Sequence, residues 1–364
     1  MWLVVLFFVP FVNLLFFILL CALRPQERSQ QSEGAPWPGP HGIDRLIPHS
    51  KIGSAALALV VTTVLGLGFV LMGTLVIGAY GWGLFVALPF CLGMFSVLLY
   101  SYHEPREWFD CLAVALLPVA LVGAGLLLIA VEGIICLLMA APFAVALAAL
   151  GGALGYVMQA RHWRPKQAPA MFSILILLVP ASLGLERAAA LRPPECEVHT
   201  AIEVNAPPEK VWNQVVAFAE IPPPKELLFR AGIAYPIRAE ITGRGVGAVR
   251  NCIFSTGPFV EPIEVWDEPH LLKFGVTANP APLNEMTPYG HIDAPHLHGY
   301  FVSEQGQFLL TALPGGRTRL EGTTWYHNAM WPASYWRLWS DYIIHRIHLR
   351  VLEHIRSEAE TASH

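Results

Sequence analysis

The chain has 364 residues, of which 54% are hydrophobic and only 14% are charged, whereas soluble domains carry about 25% charged residues. This composition excludes an ordinary soluble protein. The net charge of −4 and the lack of a basic patch interleaved with aromatic residues in the second half argue against a nucleic acid partner.

The first half of the chain consists of long uncharged stretches. A membrane-spanning helix needs about 20 apolar residues, because it rises about 1.5 Å per residue across a hydrocarbon core of about 30 Å. The glycine-rich segment 78–83 and Glu132 divide the longest stretches. The sequence therefore predicts a multi-pass α-helical membrane domain in residues 1–186, with six spans at about 2–23, 54–78, 83–102, 111–131, 133–158 and 168–185.

The distribution of basic residues predicts the orientation of these spans, because lysines and arginines in short loops stay on the cytoplasmic side. They fall in three alternate loops, as Arg24, Arg28, Arg45, Lys51, Arg106, Arg161, Arg164 and Lys166. The tight turns between the other spans carry none. We therefore expect an integral protein of a bacterial cell membrane, with both termini and the second half of the chain on the extracytoplasmic side.

Few groups inside the predicted membrane domain suggest chemistry. Glu132 falls at a turn, where a solvated interfacial carboxylate is a better interpretation than a proton relay. Four cysteines are interpreted as small apolar residues of the spans, namely Cys21, Cys91, Cys111 and Cys136. Cys196 and Cys252 remain, and they are candidates for a disulfide only if that part of the chain is extracytoplasmic.

After a linker at 187–196, the second half shows the pattern of an α+β domain. An alternating strand at 197–204 leads into a short helix with prolines in its first turn. Turn residues separate further predicted strands near 237–242, 246–255, 260–267, 271–278, 300–313 and 317–327. A long helix with a 3.6-residue apolar period follows from 332 to about 360, before a short tail at 361–364.

Four segments in this half carry a resemblance to a known family. The sequences VNAPPEKVWNQVVAF, GRGVGAVRNCIF, IEVWDEPHLLKFGV and LPGGRTRLEGTTWY are similar to the polyketide cyclase-like SRPBCC superfamily, which includes START and Bet v 1-like proteins. The resemblance covers about residues 197–360. It implies a helix-grip fold, in which a curved antiparallel sheet wraps around a long C-terminal helix. The sheet and the helix leave a cavity for lipids, polyketides or other apolar molecules.

A large number of aromatic residues in this half suits an apolar cavity, although many of them are expected to form the core. Charged residues on the predicted strands are candidates for holding a ligand head group if they point into the cavity: Arg250, Glu264, Arg319 and Glu321. Exposed salt bridges on the outer face are the alternative. The predicted cavity residues are Phe218, Phe229, Tyr235, Arg250, Phe254, Trp266, Phe274, Tyr300, Phe308, Glu321, Trp325, Trp336 and Trp339.

A long proline-rich segment before the strand at 300–313 contains the main candidates for catalysis or metal binding. Its pattern His-x-Asp-x-x-His-x-His offers nitrogen and oxygen ligands for a divalent metal, or a general base above the cavity. The alternative is a solvated polar loop. The candidates are Glu285, His291, Asp293, His296 and His298, and no standard metal motif includes them.

The sequence thus favours a membrane-anchored binding module whose partners are the bilayer and a hydrophobic small molecule or lipid, without a cofactor. Two alternatives remain open. One is a cyclase-like or hydrolase-like enzyme that uses the segment 285–298, with or without a divalent metal. The other is an assembly or regulatory protein whose helix-grip domain docks another protein.

Overall fold

The computed structural model describes residues 46–160, 168–189, 191–290 and 292–361. Its helices are α1 (Lys51–Leu71, extended by a π-helical turn, Met72–Ile77), α2 (Leu88–Tyr100, preceded by a π-helical turn, Gly83–Ala87), α3 (Trp108–Leu128), α4 (Ile134–Ala160), α5 (Ala168–Ala189), α6 (Pro208–Val216), α7 (Leu227–Arg230) and α8 (Ala333–Thr361). Its strands are β1 (Glu195–Val204), β2 (Pro236–Thr242), β3 (Val249–Phe254), β4 (Gly257–Asp267), β5 (Leu271–Gly275), β6 (Phe301–Leu313) and β7 (Arg317–Asn328).

Four described helical segments are long and apolar enough to cross a membrane: Lys51–Ile77, Gly83–Tyr100, Trp108–Leu128 and Ile134–Gln159. They are fewer than the six spans predicted from the sequence. The predicted span 2–23 lies outside the described residues. Helix α5 occupies the predicted span 168–185, but it is not among the four, and its last turns carry Glu186 and Arg187.

The chain divides into two compact units. The first consists of Met1–Phe69, of which residues 46–69 are described, with Val86–Val122 and Phe143–Val179. The second consists of Val70–Phe85, Gly123–Pro142 and Pro180–His364. The second unit therefore contains the whole antiparallel sheet together with the ends of several long helices and the turns that join them.

In the first unit, glycines allow α2 and α4 to pack with their backbones in contact. A Cβ atom on Gly93 would lie 2.1 Å from the carbonyl oxygen of Ala148, and one on Gly151 would lie 2.1 Å from that of Phe90. Small residues at such crossings are typical of helix packing in membranes, where apolar side chains gain little by leaving lipid. No larger residue fits either position without separating the helices.

We therefore predict that Gly151→Leu destabilises the protein by about 2 kcal/mol or more, because the side chain must push α2 and α4 apart. Gly68→Leu is the matched control, since no atom lies within 4 Å of a Cβ at that helical glycine. The measurement is the thermal midpoint of the full chain in detergent. Equal midpoints for the two variants would contradict the close packing.

The second unit is built on a seven-stranded antiparallel sheet with the order β1-β7-β6-β5-β4-β3-β2. The first strand, β1, lies at one edge of the sheet and pairs with the last strand, β7. Helix α8 packs against β1, β7 and α6. A curled antiparallel sheet that holds a long C-terminal helix is the helix-grip fold, as the sequence indicates.

Strand alternation separates the inner face of this sheet from its outer face. Along β7, Leu320 is fully buried against the helices, while its neighbours Arg319 and Glu321 form an ion pair on the other face. Leu352 and Ile355 of α8 have no exposed surface and form the core with residues of β1, β5, β6 and α6. The core therefore lies between the inner face of the sheet and α8.

Candidate functional site

A cavity lies between the inner face of the sheet and α8. The space open to the centres of water-sized molecules is about 110 Å³. Strands β3 and β6 and helix α8 supply much of its wall, and alternate residues of β3 point into it because strand side chains alternate between faces. The lining includes Arg250, Cys252, Phe254, Phe259, Glu261, Phe274, Phe308, Gly322, Thr324, Ile344, His348 and Val351.

The wall of this cavity contains a buried ion pair. Arg250 on β3 donates a hydrogen bond from Nη1 to Glu261 Oε2 on β4, and the register places these two residues opposite each other. The side chains are only 2% and 7% exposed. Nε of Arg250 donates to the carbonyl oxygen of Val216, 3.2 Å away. Nη2 is buried and forms no hydrogen bond of standard geometry among the described residues, although the Cys252 thiol interacts with the guanidinium.

Aromatic rings surround the guanidinium. Its central carbon lies 5.5 Å from the ring centres of Phe218 and Phe274 and 5.6 Å from that of Phe308. Such contacts attract a cation to the face of a ring and partly replace its hydration. Burial raises the pKa of Glu261, and Arg250 opposes that shift. The cavity thus combines a largely apolar wall with a buried guanidinium whose Nη2 forms no hydrogen bond of standard geometry.

The remaining titratable groups of the cavity are neutral. His348 on α8 has Thr324 Oγ1 2.8 Å from Nε2 and Thr200 Oγ1 3.1 Å from Nδ1, so the ring connects α8 to β1 and β7. Burial lowers the pKa of His348 to about 3, with His345 and His199 adding to the effect. Burial raises the pKa of the Cys252 thiol to about 12.

The residues predicted for the cavity occupy several environments. Arg250, Phe254, Phe274 and Phe308 line it, and Phe218 packs on the Arg250 guanidinium. The other predicted residues do not line it. Four aromatic contacts lie elsewhere: Trp266 with Trp212, Phe229 with Tyr235, Tyr300 with Tyr80, and Trp336 with Phe85. Trp339 is half-buried on α8, and Glu321 and Trp325 lie on the outer face of the sheet. The interpretation of Arg319 with Glu321 as an outer-face pair agrees with the structure.

The candidates of the proline-rich segment are also divided. Asp293 and His298 pair with each other and are exposed, and His291 lies outside the described residues. Glu285 and His296 are buried, at 6% and 5% exposure. They meet Glu132 and Cys136, which precede and begin α4 in the same compact unit. We call these four residues the polar cluster.

The structure corrects two expectations from the sequence and decides one question that the sequence left open. Glu132 is only 7% exposed and is not a solvated interfacial carboxylate, because Tyr80 and His296 cover it. Cys136 is not simply a small apolar residue, since its sulfur lies 2.8 Å from Nε2 of His296. Cys196 and Cys252 are separate free thiols on β1 and β3, so they form no disulfide.

Glu261, the partner of Arg250, is not among the cavity residues predicted from the sequence. The strand around it, FVEPIEVW, contains a second glutamate at Glu264, and nothing in the alternation marks one of them as buried. A signal was available in the hairpin between β3 and β4, because its register pairs Arg250 with Glu261 directly. Opposite charges on facing residues of neighbouring strands are expected to interact.

Comparisons with solved structures cover about half of the chain. No protein-family model matches the chain, and no curated protein matches it significantly. Solved structures that resemble it include the protein XoxI from Bacillus cereus, with 14% identity over 46% of this chain and 99% of that chain and a TM-score of 0.32. Norcoclaurine synthase from Thalictrum flavum, in complex with dopamine and hydroxybenzaldehyde, shares 15% identity over 45% of this chain and 86% of that chain, with a TM-score of 0.29. The Zhui aromatase/cyclase from Streptomyces sp. R1128 shares 17% identity over 47% of this chain and 97% of that chain, with a TM-score of 0.29.

We predict that Glu261→Ala destabilises the protein by about 3 to 5 kcal/mol, because it leaves the Arg250 guanidinium buried without its counter-charge. The double variant Arg250→Met with Glu261→Met removes both charges and should lose less. Thermal unfolding of the full chain in detergent measures both changes. A double variant that is less stable than Glu261→Ala would contradict this account of the pair.

We also predict a dependence of stability on pH that comes from His348. Because its pKa falls from 6.5 to about 3 on folding, the unfolded chain binds more protons than the folded chain between these values. Stability is therefore lost as the pH falls below 6.5, by roughly 2 to 3 kcal/mol at pH 4.5.

The check compares the thermal midpoint of the full chain at pH 7 and pH 4.5 with that of His348→Gln, which keeps a donor and an acceptor but does not titrate. The variant should lose less stability on acidification than the unaltered protein. His298→Gln, at the exposed pair, is the control and should behave like the unaltered protein. Parallel curves for all three would show that His348 does not titrate as described.

Proposed function

We propose that the protein is a membrane-anchored helix-grip module that binds a small, mainly apolar molecule in the cavity between sheet and α8. The observation that carries this proposal is the phenylalanine-lined cavity whose wall includes the buried guanidinium of Arg250, of which Nη2 forms no hydrogen bond of standard geometry. Ligand sites typically combine a largely apolar wall with a few placed polar groups. A buried donor without an acceptor costs about 1 to 3 kcal/mol, and a ligand oxygen would remove that cost.

The charge of the site narrows the class of ligand. Glu261 already balances the charge of Arg250, so a carboxylate ligand would add an excess negative charge to an apolar cavity. A neutral carbonyl or hydroxyl oxygen accepts the same hydrogen bond without that cost. We therefore propose a neutral ligand with an apolar ring or chain and one oxygen acceptor.

The size of the cavity also narrows the class of ligand. Pockets for drug-sized ligands measure about 300 to 1,000 Å³, while this one measures about 110 Å³. A lipid-like or polyketide-like molecule would have to be small or enter with one end only. The apolar helices would keep the domain beside the bilayer, where such molecules concentrate.

Binding is favoured over catalysis in this cavity by the state of its titratable groups. Cys252 stays protonated and His348 stays neutral, with both ring nitrogens next to threonine hydroxyls. An activated nucleophile needs an adjacent base, and the described lining offers no such pair. The candidates of the segment 285–298 lie elsewhere, which weakens the case for a cyclase-like or hydrolase-like enzyme here.

We further propose that the helix-grip domain lies on the extracytoplasmic side. Two turns in its own compact unit support this orientation. The carbonyl oxygen of Tyr80, in segment 78–83, accepts a hydrogen bond from the backbone N–H of Trp331, and the carbonyl oxygen of Leu128 accepts a hydrogen bond from the Tyr289 hydroxyl. Segments 78–83 and 129–133 contain no basic residue, whereas the loop between α2 and α3 contains Arg106. The positive-inside rule places basic loops in the cytoplasm.

Gly322 allows a direct test. It lines the cavity, and a Cβ there would contact Leu352 at 3.7 Å and His348 at 3.8 Å. These are ordinary contact distances, so Gly322→Ala fits, whereas the longer side chain of Gly322→Leu must fill the cavity. We predict that Gly322→Leu loses ligand at least tenfold and that Gly322→Ala retains it.

The measurement is native mass spectrometry of the full chain in lipid nanodiscs, first with ligand retained from the membrane and then with added acetophenone as a neutral probe. Benzoate is the charged probe of similar shape and should bind more weakly. Equal occupancy in Gly322→Leu and the unaltered protein would refute binding in this cavity. Stronger binding of benzoate than of acetophenone would refute the proposed class of ligand.

A further inference from the structure

The polar cluster brings together four potential metal ligands from distant parts of the sequence. Glu132 lies in the turn before α4, Cys136 lies in the first turn of α4, and Glu285 and His296 belong to the proline-rich segment. One ligand atom from each of Glu132, Cys136 and His296 lies within 4.8 Å of the other two. All four residues belong to one compact unit, and none of them contributes to the cavity.

The hydrogen bonds of the cluster fix its carboxylates. Glu285 accepts from the backbone N–H groups of Ile135 at 3.2 Å and Cys136 at 3.3 Å, so it caps the N-terminus of α4. Glu132 accepts from the Tyr80 hydroxyl at 2.9 Å. Burial raises the pKa of Tyr80, and the nearby Glu132 raises it further, so the phenol remains a donor.

These contacts bring two buried carboxyl groups together at one histidine. Among the described residues, the ion-pair partner of both carboxylates is the same histidine, and no lysine or arginine pairs with either. The side chains of Glu132, Glu285 and His296 are 9%, 0% and 5% exposed. Buried carboxylates are stable only when they are paired or when they coordinate a cation. One histidine cannot balance two of them.

The two nitrogens of His296 have different surroundings. On the Nε2 side lie Cys136 Sγ at 2.8 Å and Glu285 Oε1 at 3.9 Å. On the Nδ1 side, Glu132 Oε2 lies 3.3 Å away within ion-pair distance, but the geometry is not that of a hydrogen bond, and Nδ1 has no hydrogen-bond partner among the described residues. A histidine that binds metal through one nitrogen usually directs the other toward a carboxylate. Glu132 occupies that position.

We propose that Cys136 Sγ, His296 Nε2 and Glu285 Oε1 bind one divalent transition metal ion of the zinc class, with Glu132 orienting the His296 ring. A mixed set of sulfur, nitrogen and oxygen ligands suits zinc. Ligand atoms of tetrahedral zinc lie about 3.3 to 3.6 Å apart, so sulfur and nitrogen separate by less than about 1 Å when the ion enters. The ion would fasten the proline-rich segment to the first turn of α4.

The experiment uses the full chain in nanodiscs, dialysed against zinc and analysed for bound metal. We expect one zinc per chain in the unaltered protein, loss of zinc in Cys136→Ser and His296→Ala, and affinity lowered about 10- to 100-fold in Glu132→Gln, as for other residues that orient a ligand. His298→Ala is the matched control, because it removes an exposed histidine of the same segment, and should keep its zinc.

A second measurement needs no variant and therefore does not depend on how well the variants fold. Alkylation of Cys136 by a maleimide, followed by peptide mapping, should be at least tenfold slower with zinc than after chelation. Cobalt substitution should give a thiolate charge-transfer band that is absent in Cys136→Ser. No zinc in the unaltered protein, or alkylation at equal rates with and without chelator, would overturn the proposal and leave a metal-free cysteine–histidine pair.

Discussion

The buried pair of Arg250 and Glu261 is the constraint on which the helix-grip domain depends. A guanidinium cannot leave water without a counter-charge, and Glu261 on the neighbouring strand provides it. The three phenylalanine rings around Arg250 pack on the cation. The guanidinium forms part of the wall of the cavity, and a polar group in a largely apolar wall is the feature that best supports ligand binding.

The polar cluster has a comparable role at the other end of the same unit. It holds the proline-rich segment against the start of α4 through Glu285, which caps that helix, and through His296, which lies between Cys136 and Glu132. Helix capping explains why Glu285 is buried at the start of α4. It does not explain why Cys136 Sγ and Glu285 Oε1 both lie beside His296 Nε2, and a shared cation would explain that arrangement.

Periodicity was sufficient to predict much of the fold. The strands from β2 to β7 and helix α8 begin and end close to the positions indicated by alternation, turn residues and the 3.6-residue period. Arg250 is a candidate because a charged strand residue that points into the cavity needs a partner. What periodicity could not provide is contact between distant positions. Cys136 and His296 are 160 residues apart, so each was judged alone, one as an apolar span residue and the other as a loop histidine. Strand parity likewise could not tell which face of β7 was inside, and Glu321 and Trp325 proved to lie outside.

The central claim is that a neutral molecule occupies the cavity and accepts a hydrogen bond from Arg250. The most direct test is an electron cryo-microscopy structure of the full chain in nanodiscs with acetophenone, at a resolution that shows side chains. The account predicts density for the ring among Phe254, Phe274 and Phe308, with the ligand oxygen within hydrogen-bond distance of Arg250 Nη2. A cavity that contains only water, or a ligand whose oxygen points away from Arg250, would contradict it.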